Sequence, residues 1–425
     1  MRLEVAMEIE YQPSDGIRQF AEGSNLRVDA DKLGQLAPVI RQVGAHAASS
    51  WDVHDVDPAQ VRISAATAGT VPTGNLDLAV LGSQHAVSPN GLYGPRDSQF
   101  IAEFALNDWA TEQLGSTRLE IPVRYVRQLV KGKGKVEAQP RVFGNLANDL
   151  LRVKSAQDRR FLIRGSGDKV RAVLSNRYRI FDNHQILAPL INALSGRIDA
   201  DHLEVDTFGI SDTKFHLGLV FKDHRYTGNP SYGGEQGKHV RVEGLKPGDD
   251  FYGGIWFSNS EVGDGGTVIA PRLFRVTCSN GLVSEERVWD KRHQGSQWST
   301  DFQAVIETEL REGILAAIEA TPQFIEAWIQ KTSQVDEDPR TRLKAIGKVA
   351  NLTQLQTQQL LFSLDQEFEA TRGGVVNAIT RAAQHQNLIE DRHQLESLGG
   401  YVLNLPEAQY ESAYDADKVL VEVAR

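Results

Sequence analysis

The sequence predicts an α+β fold: a central antiparallel sheet with flanking helices and an acidic C-terminal helical region. Three observations predict it. Apolar residues recur at helical spacing before about residue 160 and again after about residue 300. Between them, residues 161–278 alternate at strand spacing, as in Phe215, Leu217, Leu219 and Phe221. Helices grouped before and after a block of strands, rather than interleaved with single strands, mark α+β over α/β.

The elements read in order as follows. A helix is expected over 29–43, with Leu33, Leu36, Val39, Ile40 and Val43 on one face. Residues 65–95, rich in Gly, Thr, Ser and Asn, read as short strands and loops, with a turn at 88–95. Phe100, Phe104, Ala105, Leu106, Trp109 and Leu114 give a helical stripe closed by Gly115. A second helix starts at Pro122 and carries Val123, Val126, Leu129 and Val130. A mobile KGKGK loop follows at 131–135, then a helix over 142–153. FLIRG and VRAVLS flank 165–168 as a hairpin. Further strands are expected at Leu203, Val205 and Phe208, at 215–222, at Phe251, Ile255 and Phe257, and at Phe274 and Val276, with a glycine-rich excursion at 227–250. Asn280-Gly281 reads as a turn. Phe302, Val305, Ile306, Leu310, Ile314, Leu315 and Ile318 form a helix, Thr321-Pro322 reads as a new helix start, and two or three more helices reach about Leu395. The expected organisation is a mixed N-terminal segment 1–60, an α+β core 61–300 and an acidic helical domain 301–425.

With 425 residues, 40% hydrophobic and 24% charged, the chain can bury a substantial core. A single cysteine, Cys278, excludes a disulfide scaffold and a zinc site of several thiolates; it reads as a small core residue. No run approaches the roughly 18 apolar residues of a membrane span, and the N-terminus MRLEVAMEIEYQPSDG fits neither a signal nor a transit peptide. A cytoplasmic protein without a membrane partner is expected.

Charge is the most informative feature. The net charge is -10, yet residues 124–181 carry fifteen Lys and Arg against four acids, a surplus of +11 that leaves -21 for the rest. These cations are Arg124, Arg127, Lys131, Lys133, Lys135, Arg141, Arg152, Lys154, Arg159, Arg160, Arg164, Lys169, Arg171, Arg177 and Arg179, interleaved with Tyr125, Phe143, Phe161, Tyr178 and Phe181. Cations neutralise phosphates and release counterions, and flat rings stack on bases, so the pairing points to nucleic acid. The other readings are a basic surface that pairs with acidic surfaces of the same or another protein, and an ordinary solvated surface.

Other chemistry finds little footing. GGEQGKH at 233–239 has the wrong spacing for a phosphate-binding loop, and 165–167 lacks the third glycine of a dinucleotide site. There is no H-E-x-x-H and no G-x-S-x-G. His54, Asp55 and Asp57, or Asp249, Asp250 and Asp264, are loop groups able to meet a cation, but solvated turn acids describe them better. His202, His216, His224, His239 and His293 are scattered, and Trp256, Trp289 and Trp298 read as core or interface residues.

Two stretches, AVLSNRYRIFDNHQIL at 172–187 and LFRVTCSNGLV at 273–283, carry Ser175, Arg177 and Tyr178, then Arg275, Cys278, Asn280 and Gly281. With FALNDWATEQLG and IPVRYVRQLV ahead of them, the chain resembles, over about residues 60–310, the phage- and plasmid-borne family catalogued as domain of unknown function 932. The resemblance implies a mobile-element setting and a role in DNA metabolism; it brings no catalytic residues.

The expectation is therefore a non-catalytic, homo-oligomeric protein that binds or anneals single-stranded DNA in recombination, without cofactor or metal. Phosphate contacts are expected from Lys131, Lys133, Lys135, Arg152, Arg159, Arg160, Arg164, Arg171, Arg177 and Arg179, with Tyr178, Tyr125 and Phe161 stacking. The alternative is a phage or plasmid structural or interaction protein; a third reading is a metal-dependent nuclease.

Overall fold

The computed structural model describes residues 34–68, 71–80, 86–87, 103–132, 137–195, 198, 200–228, 239–245, 250–275, 280–283, 289–291, 302–367 and 369–412. Helix α1 (Leu36–Ser49) buries Leu36, Val39, Ile40 and Val43, the stripe that the spacing predicts; its expected start at Asp29 lies outside the described residues. Strands β1 (Ser50–Val56), β2 (Val61–Ala68), β3 (Val71–Val80), β4 (Ala86–Val87) and β5 (Glu103–Leu106) follow. The stripe read as a helix through Phe104 and Leu106 is thus a strand, and helix α2 (Asp108–Glu112) begins only where the Asn107 side chain accepts from the Ala110 N–H. It runs past Gly115 into a wide π turn, Gln113–Arg118.

Helices α3 (Val123–Lys131) and α4 (Pro140–Ala156) precede the hairpin of β6 (Phe161–Ser166) and β7 (Lys169–Ser175). Gly167, at φ 56°, supplies the left-handed residue of its turn. Helix α5 (Asn183–Ser195) leads to β8 (Leu203–Ile210), β9 (Phe215–Thr227), β10 (His239–Arg241), β11 (Phe251–Asn259), β12 (Thr267–Arg275), β13 (Asn280–Val283) and β14 (Trp289–Lys291). Asn280 and Gly281 therefore open a strand rather than form a turn. The C-terminal helices are α6 (Phe302–Thr332), α7 (Pro339–Val349), α8 (Gln354–Glu367), α9 (Arg372–Gln384), α10 (Ile389–Asn404) and α11 (Glu407–Ser412). Thr321-Pro322 lies inside α6, where the Thr321 hydroxyl bonds back to the Ala317 carbonyl, so no new helix starts there.

The class is α+β, with the strands divided between two sheets. The first has the order β2-β3-β5-β7-β6-β1-β4 and the second β10-β9-β11-β12-β13, with β8 on β9 and β14 on β12. Pairing is antiparallel except for β5–β7 and β9–β10. One face of the first sheet packs Trp51, Val53, Ile63, Phe161, Ile163 and Val173 against Leu114, Val126, Phe143 and Leu151 of the π turn, α3 and α4. One face of the second packs Phe215, Leu217, Leu219, Phe221, Phe257 and Ile269 against α1, α5 and α6. Its opposite face turns to α10, with Trp256, Ala270 and Val283 beside Ile389. Strand β1 belongs to the first sheet, and α6 shares the core under the second. Contacts thus cross both of the expected boundaries, near residues 60 and 300. Among the described residues no helix is long and apolar enough to cross a membrane.

Candidate nucleic-acid interface

The hairpin that carries Arg164 and Arg171 is buried on both faces. Phe161 and Ile163 face the helices, while Leu162, Ala172 and Leu174 pack on Val262, in the turn between β11 and β12. Arg164 sits opposite Ala172 on that second face. A cation there leaves water and needs carboxylates. Arg164 donates to both Asp52 oxygens at 2.7 and 3.1 Å, to Asp182 at 2.7 Å and to the Glu261 carbonyl at 2.8 Å. Arg171 donates to the Glu261 carboxylate at 2.9 Å and to the Asp212 carbonyl at 3.1 Å. Both arginines are about 4% exposed. Their assignment as phosphate contacts is corrected: they join the two sheets. Phe161 is likewise core, not a stacking platform.

Electrostatics supports this. Burial pushes the Glu261 carboxyl up, but Arg171, His46 and Arg164 hold it at about 2. Burial raises the Asp182 carboxyl, against the pull of Arg164. Burial lowers His46, which lies 3.6 Å from Glu261. Tyr178 is half-buried: its hydroxyl donates to the Ser260 carbonyl at 3.3 Å, and burial raises its pKa, so it braces the β11–β12 turn.

The remaining cations are superficial. Helix α3 exposes Arg124, Arg127 and Lys131 and fully buries only Val126. Tyr125 is 47% exposed, with the Arg124 guanidinium 4.9 Å from its ring centroid. Helix α4, packed beside α3, exposes Arg141 and Arg152. At the far end of the hairpin, Arg159 and Arg177 are exposed and Arg160 is partly so; the Asn176 N–H bonds the Arg160 carbonyl, which ties these strand ends together. Burial first and then Arg159 lower the pKa of half-buried Arg118, placing a further cation in this group. Arg179 is exposed as well. Lys133 and Lys135 lie outside the described residues.

Several exposed cations have partners: Arg127 with Glu112 at 2.8 Å, Lys131 with Asp108 at 2.7 Å, Arg152 with Asp149 at 3.3 Å and Arg160 with Asp57 at 3.2 Å. Such surface pairs are worth about 0–1 kcal/mol and yield readily to a phosphate. Lys154 is different, being buried on Glu120 at 2.6 Å.

The loop acids hold structure. Asp57 caps a short turn through the Ala59 N–H and accepts from Ser155, Asp250 pairs with Arg225, and Asp264 lies 3.5 Å from Lys214. Among the described residues no three His, Cys, Asp or Glu side chains come together to hold a metal. Asp249, Cys278, His293 and Trp298 lie outside those residues.

A second feature escaped the sequence reading. A cavity of about 470 Å³ lies between the second sheet and α10, lined by His216, Trp256 and His393 among others. His216 occupied an outward position of an alternating strand, and the helix covering it is far away in the chain. No family model matches this sequence, and neither a curated protein nor a solved structure does.

Proposed function

We propose that the protein binds single-stranded nucleic acid through the exposed surface of α3 and α4, extended by the cations at the end of the β6–β7 hairpin. The observation that carries this reading is Tyr125: a ring almost half exposed, with Arg124 over it, on a helix that also shows Arg127 and Lys131 to solvent. A tyrosine ring offers a flat face on which a base can stack, and a ring among cations suits a base next to its phosphate. Cations spread over two helices and a strand end suit backbone tracking rather than a single helix reading a duplex groove. The residues at 172–187 and 273–283 that resemble the phage- and plasmid-borne family would add a mobile-element setting to the proposal.

Fluorescence anisotropy with labelled single and double strands, between about 50 and 200 mM salt, tests it. Affinity for the single strand falls with salt, and Arg124→Ala, Arg127→Ala and Lys131→Ala each flatten the log–log slope by about 0.7. Salt-independent binding, or a slope unchanged in the triple variant, removes the reading.

A specific observation favours a second reading. Helix α4 exposes Val142, Leu146 and Val153 along its outer side, at 48%, 39% and 52%. An apolar stripe edged by Arg141 and Arg152 suits a protein partner with an acidic rim, including another copy of this chain. Self-association that dissolves at high salt in the absence of nucleic acid, and that Leu146→Glu abolishes, supports that reading instead.

A further inference from the structure

Helix α10 covers the second sheet on the side away from the main core, and the covering is incomplete. The cavity of about 470 Å³ between them has the size of a small-molecule site and is too large for one water. Its sheet wall is built by alternation. Trp256 lies opposite Gly218 and Ala270, and Ser258 lies opposite His216 and Val268, so all these side chains share one face. The helical wall comes from His393, Ser397 and Tyr401 of α10 and from the end of α7.

Three buried nitrogens set the chemistry of this space. His216 is 2% exposed, and neither of its ring nitrogens has a hydrogen-bond partner among the described residues. The Trp256 indole nitrogen, on a side chain 1% exposed, has none either. Native cores rarely leave such groups unsatisfied, and three at one cavity call for an occupant. The nearby amides are already committed: Asn259 is engaged by Phe181, Asn183 and Thr267.

We propose that this cavity binds a neutral, planar nitrogen heterocycle of the nucleobase type, held by hydrogen bonds to His216 and Trp256. Burial holds the His216 imidazole at about 4, so near neutral pH it presents one donor and one acceptor, and the indole adds a second donor. A heterocycle edge that alternates acceptor and donor answers the indole N–H and one imidazole nitrogen, and a group on another side of the ligand or a bridging water answers the second. Part of the wall is aromatic, which favours a flat ring packed beside it: the His393 ring stacks on Trp256 at 4.2 Å and 1°, and the His216 ring stands 5.3 Å from both. An anion fits poorly. The cation lining the cavity, Lys214, lies 3.5 Å from the Asp264 carboxylate, so no net positive charge is offered.

This inference does not rest on the α3 surface, because a free nucleoside carries no phosphate. The 425-residue chain is titrated separately with adenosine, guanosine, cytidine and thymidine by calorimetry and by saturation-transfer NMR. At least one is expected to bind. His216→Phe, which keeps the ring volume and removes both nitrogens, weakens it by about tenfold or more. Ala350→Trp, which fills the cavity from the end of α7 and leaves every sheet residue in place, abolishes binding and decides the matter if His216→Phe does not fold. The Arg124, Arg127 and Lys131 variants leave nucleoside binding unchanged. Displacement of the bound nucleoside by a single-stranded oligonucleotide assigns the base to a polynucleotide, and simultaneous binding assigns it to a free nucleoside. The proposal is overturned if none of the four binds, or if binding is equal in the wild type and both variants.

Discussion

Glu261→Gln tests the reading of the inter-sheet charge cluster most directly. The carboxylate takes the Arg171 guanidinium at 2.9 Å and the Asn183 N–H at 2.8 Å, and it is 4% exposed. Glutamine keeps the shape and one acceptor oxygen, so Asn183 stays satisfied. The charge is lost, and buried Arg171 is left with the Asp212 carbonyl. Removing one partner of a buried ion pair costs about 3–5 kcal/mol. A carboxyl held at about 2 instead of its ordinary 4.5 corresponds to a loss of the same order, about 3 kcal/mol. The sign follows from that depression. The stabilisation is complete above 4.5 and is lost as pH falls toward about 2, because the wild-type carboxyl then takes up its proton. Asp182 is raised by burial and also by the Glu261 charge, so Glu261→Gln relieves part of that shift and offsets part of the deficit near neutrality. Urea unfolding followed by circular dichroism should show the full deficit near pH 7 and a much smaller one near about pH 3. A deficit below about 1 kcal/mol near neutrality, or one equally large in acid, refutes the assignment.

Other perturbations separate surface from scaffold. Tyr125→Ala should weaken single-strand binding by about 1–3 kcal/mol, read by anisotropy, while unfolding moves by no more than about 0.5 kcal/mol. Gly218→Ala should destabilise by about 1–3 kcal/mol, because a Cβ there collides with the Arg272 guanidinium held between Asp206 and Glu396. Combined with Arg272→Leu the two effects should be non-additive in a double-mutant cycle. Arg372→Met should cost about 3 kcal/mol in urea unfolding, since its guanidinium serves the carbonyls of Val402, Leu403 and Leu405, which then lose their donors.

Periodicity reveals which side chains leave water, and it did so for Val39 and Ile40 in α1 and for Phe215 through Phe221 in β9. It does not reveal what covers the other side. His216 alternates with apolar neighbours and so resembles a solvent-facing residue; α10, more than 150 positions away, closes over it. Arg164 and Arg171 were counted as surface charge for the same reason. Their partners Asp52 and Glu261 are 112 and 90 residues distant, beyond any local pattern. The stripe from Phe104 to Leu114 mixes two periods: the strand ends at Leu106 and the Asn107 cap starts the helix, a break that apolar spacing alone does not mark. The basic segment was legible as a segment, but its division into exposed helices and a buried latch depends on which face of one hairpin meets the second sheet.

Helix α3 buries Val126 fully and Leu129 and Val130 only in part, and its other ties are the surface pairs of Arg127 and Lys131. An element with so small an apolar footprint is expected to open at lower free energy than the sheets beneath it. On the function proposed above, a strand of irregular path would draw this helix toward itself, and recognition would tolerate many sequences and curvatures. Such a mounting gives up some tightness in any one complex and gains the capacity to follow a flexible polymer.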